Sequence, residues 1–277
     1  MTVMSDQAGK ATKLRVLHHG PSILVLPNAW DCASARVFED AGFPAIATTS
    51  AGVAFSLGYP DGQHIRAEEM LIAVKRIADC VDVPVTADLE SCYDDPAATT
   101  GAVVEAGAVG LNVEDLNGSS QGELVEVETQ VRKIRTIRRV GSEMGVPLVI
   151  NARTDVYLAG IGEAVRRFDL ALERLQAYIE AGADCVFVPG IQDESLIREF
   201  VDALRFPLNI LIGVGTPPLA RLQEIGVARV STGSGIARAT IGLTRRIARE
   251  IKATGSLASL FEGAISYADA NALFRSE

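Results

Sequence analysis

Histidine is scarce in this chain, and none of His18, His19 and His64 accompanies a cysteine pair, which argues against a zinc centre. The four cysteines, Cys32, Cys80, Cys92 and Cys185, show no CxxC spacing, so a reducing cytoplasmic setting is expected. No window approaches the ~18–20 uninterrupted apolar residues of a membrane span. The opening Met1–Lys13 is polar and lacks the apolar stretch of a secretory signal. No Lys/Arg cluster is interleaved with aromatics, and the net charge of −9 repels a phosphate backbone; a nucleic-acid surface is not expected. Arg132–Arg139 and Arg245-Arg246 read instead as solvated helix faces. No GxGxxG follows the first β-rich run, where Pro27-Asn28-Ala29-Trp30-Asp31 stands, which disfavours dinucleotide binding. No Pro/Ser-rich linker divides residues 1–277, so a single domain is expected.

What the chain does have is a repeated phrase over 277 residues, 48% of them apolar. A helix ends in Gly, a β-rich run follows, and a polar turn leads to the next helix. Asp40-Ala41-Gly42 precedes Ala45–Thr49, Glu105-Ala106-Gly107 precedes a run ending in Glu114, and Glu180-Ala181-Gly182 precedes Cys185–Val188. Gly suits the left-handed position just past a helix. Such runs fall near 22–27, 45–50, 83–88, 109–114, 147–152, 185–189, 208–213 and 228–231. Helical spacing such as Ala67-Leu71-Val74-Ile77 lies between them. Continuous apolar runs alternating with amphipathic helices indicate a parallel sheet covered by helices. Eight units point to a (β/α)8 TIM-type barrel rather than an open doubly wound sheet. Residues of about 243–277 supply extra C-terminal helices, more than a barrel needs, which suggests packing on another subunit.

In a parallel barrel the strand C-termini share one face, and there the chain gathers charge. Asp88 and Glu90 end the third run, Glu114 and Asp115 the fourth, and Asn151, Arg153 and Asp155 follow the fifth. Carboxylates collected there repel unless a cation sits between them, and hard oxygen ligands favour Mg²⁺ or Mn²⁺. The arginine would hold an anionic substrate. Asp31 reads equally well as the N-cap of the helix beginning at Cys32, and Asp115 and Asp155 as caps or supporting partners. Ser50-Ala51-Gly52 is either a tight turn or a backbone N–H cradle for a carboxylate or enolate oxygen.

The order and spacing of several segments resemble the isocitrate lyase/phosphoenolpyruvate mutase superfamily. These are Leu26–Asp31, Ala41–Ile46, Thr49–Gly52, Leu57-Gly58-Tyr59-Pro60-Asp61, Val85–Glu90, Val113-Glu114-Asp115 and Asn151–Asp155. The resemblance implies a Mg²⁺ ion against Asp88, reached partly through waters by Glu90, Glu114 and Asp61. It implies a small 2-oxo or 2-hydroxy acid held by Arg153 and by the N–H groups of Ser50, Ala51 and Gly52. It also implies a homotetramer with exchanged C-terminal helices. The shared chemistry makes or breaks a bond beside a 2-oxo acid through an enolate, with Arg153, Asp61 and Glu114 as the catalytic candidates.

Departures bear on the reaction. Members that cleave isocitrate or methylisocitrate carry a Lys-Lys/Arg-Cys-Gly-His loop after the fourth strand. Here Leu116–Leu124 offers no cysteine, lysine or histidine. Where members have Gly-Tyr-Gly this chain has Ser91-Cys92-Tyr93, so Cys92 is either a small buried filler or a catalytic thiol. The leading expectation is a Mg²⁺-dependent lyase of oxaloacetate-like acids. A phosphonopyruvate mutase or hydrolase and a non-catalytic 2-oxo acid-binding barrel are the alternatives. No lysine falls at a strand end, which disfavours a Schiff-base aldolase.

Overall fold

The computed structural model describes residues 3–116 and 122–274. Its strands are β1 (Leu24–Leu26), β2 (Asn28–Ala29), β3 (Ile46–Thr48), β4 (Val85–Asp88), β5 (Gly110–Glu114), β6 (Val149–Arg153), β7 (Cys185–Phe187), β8 (Leu208–Leu211) and β9 (Arg229–Ser231). All pair in parallel, in the order β1-β9-β8-β7-β6-β5-β4-β3-β2. The two ends of that order, β1 and β2, are separated by Pro27 alone. The sheet therefore closes into a barrel, and the run expected at 22–27 begins at Leu24 and continues past Pro27 to Ala29 as one barrel strand interrupted at the proline. Pro27 has no N–H to donate to a ladder, yet its carbonyl still accepts from Ala47 N at 3.0 Å and bridges the break. Helices cover the outside, as the alternation in the sequence requires.

Period-two alternation sorts each strand. On β5, Leu111 and Val113 join the apolar core, while Asn112 and Glu114 turn inward. Contacts across the barrel confirm the inward set. Arg229 on β9 reaches Asn112 on β5 at 3.5 Å, although β6, β7 and β8 lie between those strands in the sheet.

Two terminal regions differ from expectation. Met1–Lys13, read only as a polar opening, lies from residue 3 onward in the helix Val3–Leu17, whose Ala11 and Leu14 are fully buried. It is docked largely by polar contacts: Gln7 Nε2 donates to Val104 O and Ala108 O, and Arg15 Nε pairs with Asp184 Oδ1 at 2.9 Å. At the other end, the extra helix begins at Gly235 rather than near 243 and runs to Thr254, followed by short helices Ala258–Phe261 and Tyr267–Ala272. Ala237 is its one buried residue, and Ile241, Leu243, Ile251, Leu257, Leu260, Phe261 and Phe274 stay exposed.

His18, just past the first helix, is 4% exposed, and its Nδ1 lies 2.8 Å from Leu14 O. A carbonyl cannot donate, so Nδ1 carries the hydrogen. Burial, reinforced by the charge of Arg229, lowers its pKa to about 4. The folded protein thus resists a proton that the unfolded chain accepts near pH 6.5, and stability should fall as pH drops from 6.5 towards 4. The loss attributable to this group is ~3 kcal/mol, with none further below that window. Urea unfolding should show this loss in wild type and not in His18→Gln; parallel pH curves for the two proteins would rule it out.

Candidate functional site

Asp88 ends β4, and the chain builds a holder around it. Its Oδ2 accepts from Ser50 N at 3.0 Å and Ser50 Oγ at 2.8 Å. Its backbone N–H donates to Thr48 Oγ1 at 2.8 Å, and Asn112 Nδ2 lies 3.4 Å from Oδ1. Ser50 can do this because Thr49 caps the helix Ser50–Ser56, its hydroxyl accepting from Gly52 N at 3.2 Å. Gly52 is dictated by packing: a Cβ there would lie 2.5 Å from Thr49 Cγ2 and 2.9 Å from Trp30 Cβ. Two of the three cradle N–H groups, those of Ser50 and Gly52, thus have acceptors within the chain. Ala51 N has no acceptor among the bonds of the described residues.

Arg153 ends β6 directly beside Glu114 on β5, the two being registered partners. Its Nη1 donates to Glu114 Oε1, while Nε and Nη2 meet Asp155 Oδ1 at 2.8 and 2.7 Å. Burial opposes its charge, but Glu114 and Asp155 outweigh burial and hold it charged beyond the ordinary arginine range. The Phe187 ring, 5.7 Å from Cζ, backs the guanidinium. Asp115, by contrast, faces away from the strand ends' centre. It is fully buried and accepts from Asp155 N (2.9 Å), Arg174 Nε (2.7 Å) and Tyr178 OH (2.7 Å). It is a supporting hub that sets Asp155, and through Asp155 the guanidinium.

Glu90 lies past the end of β4 in a strained turn: Glu90, Cys92 and Tyr93 have φ of 53°, 68° and 54°, where residues other than Gly are disfavoured by ~1–2 kcal/mol each. Neighbours fix the turn. Lys133 Nζ donates to Ser91 O at 2.6 Å, Glu114 N to Glu90 O at 2.9 Å, and Ser91 Oγ to Gln63 Oε1 at 2.7 Å. That last bond ties the turn to the loop carrying Asp61. Burial pushes the Glu90 carboxyl up to about 7, with Asp88 and Asp61 adding to the rise and the Gln63 N–H and Arg153 easing it. Asp61 sits on an exposed loop, and its carboxyl is raised by partial burial and then by Asp88. Cys92 occupies a left-handed position suited to Gly, is 1% exposed, and has its thiol pushed by burial to about 12. That is the chemistry of a protonated filler. Residues 117–121 of the Leu116–Leu124 loop lie outside the described residues.

The strand-end set is thus brought together: Asp88, Glu114 and Arg153 end adjacent strands, Asp155 follows β6 by two residues, and Glu90 and Asp61 feel the charge of Asp88. Asp31 caps the helix Cys32–Asp40 in a capping box with Ser34. Asn28 clips the barrel closed, accepting from Thr232 N and Gly233 N at 2.9 Å and donating to Thr48 O. Among the described residues, no three of His, Cys, Asp and Glu converge into a ready-made cation site. The donor set still fits a hard cation. All donors are carboxylate oxygens, and Glu90 is raised first by burial and then by the like charges of Asp88 and Asp61, a repulsion that a cation would relieve. Thr48, Asn112, Lys133 and Arg229 escaped the sequence reading, since each acts on a partner far along the chain.

Comparison with known proteins agrees with this geometry. The phosphoenolpyruvate phosphomutase family model matches residues 14–252. A Burkholderia cenocepacia J2315 structure, whose lyase/mutase description is itself provisional, is 35% identical with a TM-score of 0.91, covering 98% of each chain. The 2-methylisocitrate lyase of Escherichia coli K12 is 32% identical over 235 residues, 80% of this chain and 76% of that one. A 2,3-dimethylmalate lyase structure is 26% identical with a TM-score of 0.84, covering 96% of this chain and 95% of that one. A closed parallel barrel with its carboxylates and arginine at one strand-end face, matched over most of its length, belongs to the isocitrate lyase/phosphoenolpyruvate mutase superfamily.

Proposed function

We propose that the chain is a Mg²⁺-dependent lyase of small 2-oxo or 2-hydroxy carboxylic acids. It cleaves a C–C bond through an enolate, with oxaloacetate-like diacids as substrates. The observation that carries this reading is the pairing of two opposite devices on adjacent strands: Asp88 held by Ser50, and Arg153 aimed by Glu114 and Asp155. Asp88 would hold the cation directly, with Glu90, Glu114 and Asp61 reaching it through water, in keeping with their failure to converge. When bound, the cation supplies positive charge where negative charge develops on the 2-oxo oxygen. Arg153 would grip the substrate carboxylate, with Ala51 N–H as a further donor. Relatives described as 2-methylisocitrate and 2,3-dimethylmalate lyases support C–C cleavage of this kind. A panel of 2-oxo diacids, 2-hydroxy diacids and phosphonates, assayed with Mg²⁺ for pyruvate or glyoxylate release, tests the reading. Turnover of none of them would defeat it.

Isocitrate and 2-methylisocitrate should be poor substrates. Leu116–Leu124 contains no thiol or imidazole to protonate the leaving carbanion, and Cys92 is buried away from that role. A positioned general acid contributes ~10²–10⁴ in rate, so turnover should fall short of the oxaloacetate-like acids by a factor in that range. Equal turnover of either tricarboxylate would show that another group supplies the proton.

The uncovered apolar side chains of residues 241–274 support a homotetramer in which C-terminal helices cross to neighbours. Light scattering on the full chain would report a monomer if this is wrong.

A further inference from the structure

Among the described residues Arg229 is the largest fully buried side chain, yet it makes a poor structural pillar. Among the described residues its guanidinium has one hydrogen bond, from Nη2 to Asn112 Oδ1 at 3.5 Å, and Nε and Nη1 have no acceptor. A buried charge with so little local compensation is costly and calls for another source of stabilisation. The groups around it are neutral at pH 7: His18 is held at about 4 and the Cys185 thiol at about 12. The formal charge that faces it is Asp88. Asn112 stands between the two. Its Oδ1 accepts from Arg229 and, at 2.7 Å, from Asn151 Nδ2, which fixes the amide so that Nδ2 points at Asp88 Oδ1. The guanidinium therefore lies one amide beneath the residue at the centre of the candidate site, on the dry side of the barrel.

We infer that Arg229 is a fixed counter-charge under the candidate site that sets its preference for dianionic ligands, acting through Asn112 on the region of Asp88. The inference rests on the reading of the site as one for a cation and an anionic acid, and it goes further by naming the residue that biases the site towards a diacid. Its physical content is a pair of opposed effects. A buried positive charge repels an incoming cation and attracts an incoming anion, the latter in proportion to the anion's charge. Removing the charge should therefore tighten one and loosen the other, which loss of packing cannot do.

The test measures Mg²⁺ alone, then oxalate (dianion) and pyruvate (monoanion) at saturating Mg²⁺, by calorimetry on the full chain, together with melting temperature. Arg229→Met is expected to bind oxalate about tenfold more weakly and pyruvate about threefold more weakly, while Mg²⁺ alone binds about threefold more tightly. Arg229→Lys keeps the charge and should retain most of the oxalate affinity. Where Arg229→Met fails to fold, Arg229→Gln removes the charge while keeping a polar N–H for Asn112 Oδ1 and should give the same opposed shifts. Oxalate affinity within twofold of wild type in a folded charge-removing variant overturns the inference. So does joint weakening of Mg²⁺ and oxalate with a lowered melting temperature, which is the signature of a filler. Wild-type protein that binds neither Mg²⁺ nor oxalate would instead defeat the underlying reading of the site.

Discussion

Asp88→Asn is expected to weaken Mg²⁺ binding by more than ~100-fold and to remove lyase turnover with it. Changes to groups that merely orient a metal ligand already cost ~10–100-fold, and Asp88 is assigned the direct contact. The substitution is nearly isosteric, and an amide oxygen can still accept from Ser50 N and Oγ, so the fold has no reason to fail. Removing the charge relieves repulsion at Glu90 and Asp61, but it also takes the facing charge from Arg229 and leaves one amide oxygen for the donors of Ser50 and Asn112, so the metal-free variant should fold and melt within a few degrees of wild type. Loss of the cation with the fold retained is the combination that marks a metal ligand. Calorimetry showing unchanged Mg²⁺ affinity would remove Asp88 from the site.

What the sequence made legible follows from burial. The strands of a parallel barrel are covered on both faces, so they appear as continuous apolar runs, and the Gly-terminated helices between them set the count and direction. From direction alone the strand-end residues share a face, which marks Asp88, Glu114 and Arg153 as candidates in the sequence itself. The break at Pro27 was readable in principle, because a proline inside a strand run cannot donate to the ladder. The helix Val3–Leu17 was not, because polar residues such as Gln7 and Arg15 do much of its docking and leave a weak apolar stripe. The start of the helix at Gly235 was masked by Gly235, Gly242 and the β-branched Ile236, Thr240 and Ile241, which read as poor helix formers. The inner layer was least legible. Asn112 and Arg229 are 117 positions apart, and nothing local in either segment announces that one reaches the other across the barrel.

Arg153→Lys should weaken binding of 2-oxo acids by ~10–100-fold, the range set by losing one charge-assisted hydrogen bond of ~1.5–3 kcal/mol, while Mg²⁺ affinity stays within about threefold. The wild-type guanidinium is already engaged: Nε and Nη2 hold Asp155, and Nη1 holds Glu114. That arrangement fits two roles, a purely structural ion pair or a substrate clamp whose two carboxylates fix its angle. The donor inventory separates them. Each terminal nitrogen of a guanidinium carries two N–H groups, so after the bonds to Glu114 and Asp155, Nη1 and Nη2 each retain one. The side chain is 15% exposed whereas that of Asp155 is 0%, so the guanidinium is the accessible member of the pair. A lysine can satisfy Glu114 or Asp155 as a point charge but cannot hold both and still present a parallel fork. The variant should therefore lose the acid more than the fold. If it melts far below wild type but binds 2-oxo acids normally at a temperature where it is folded, Arg153 is an ion-pair partner and the substrate carboxylate is held elsewhere.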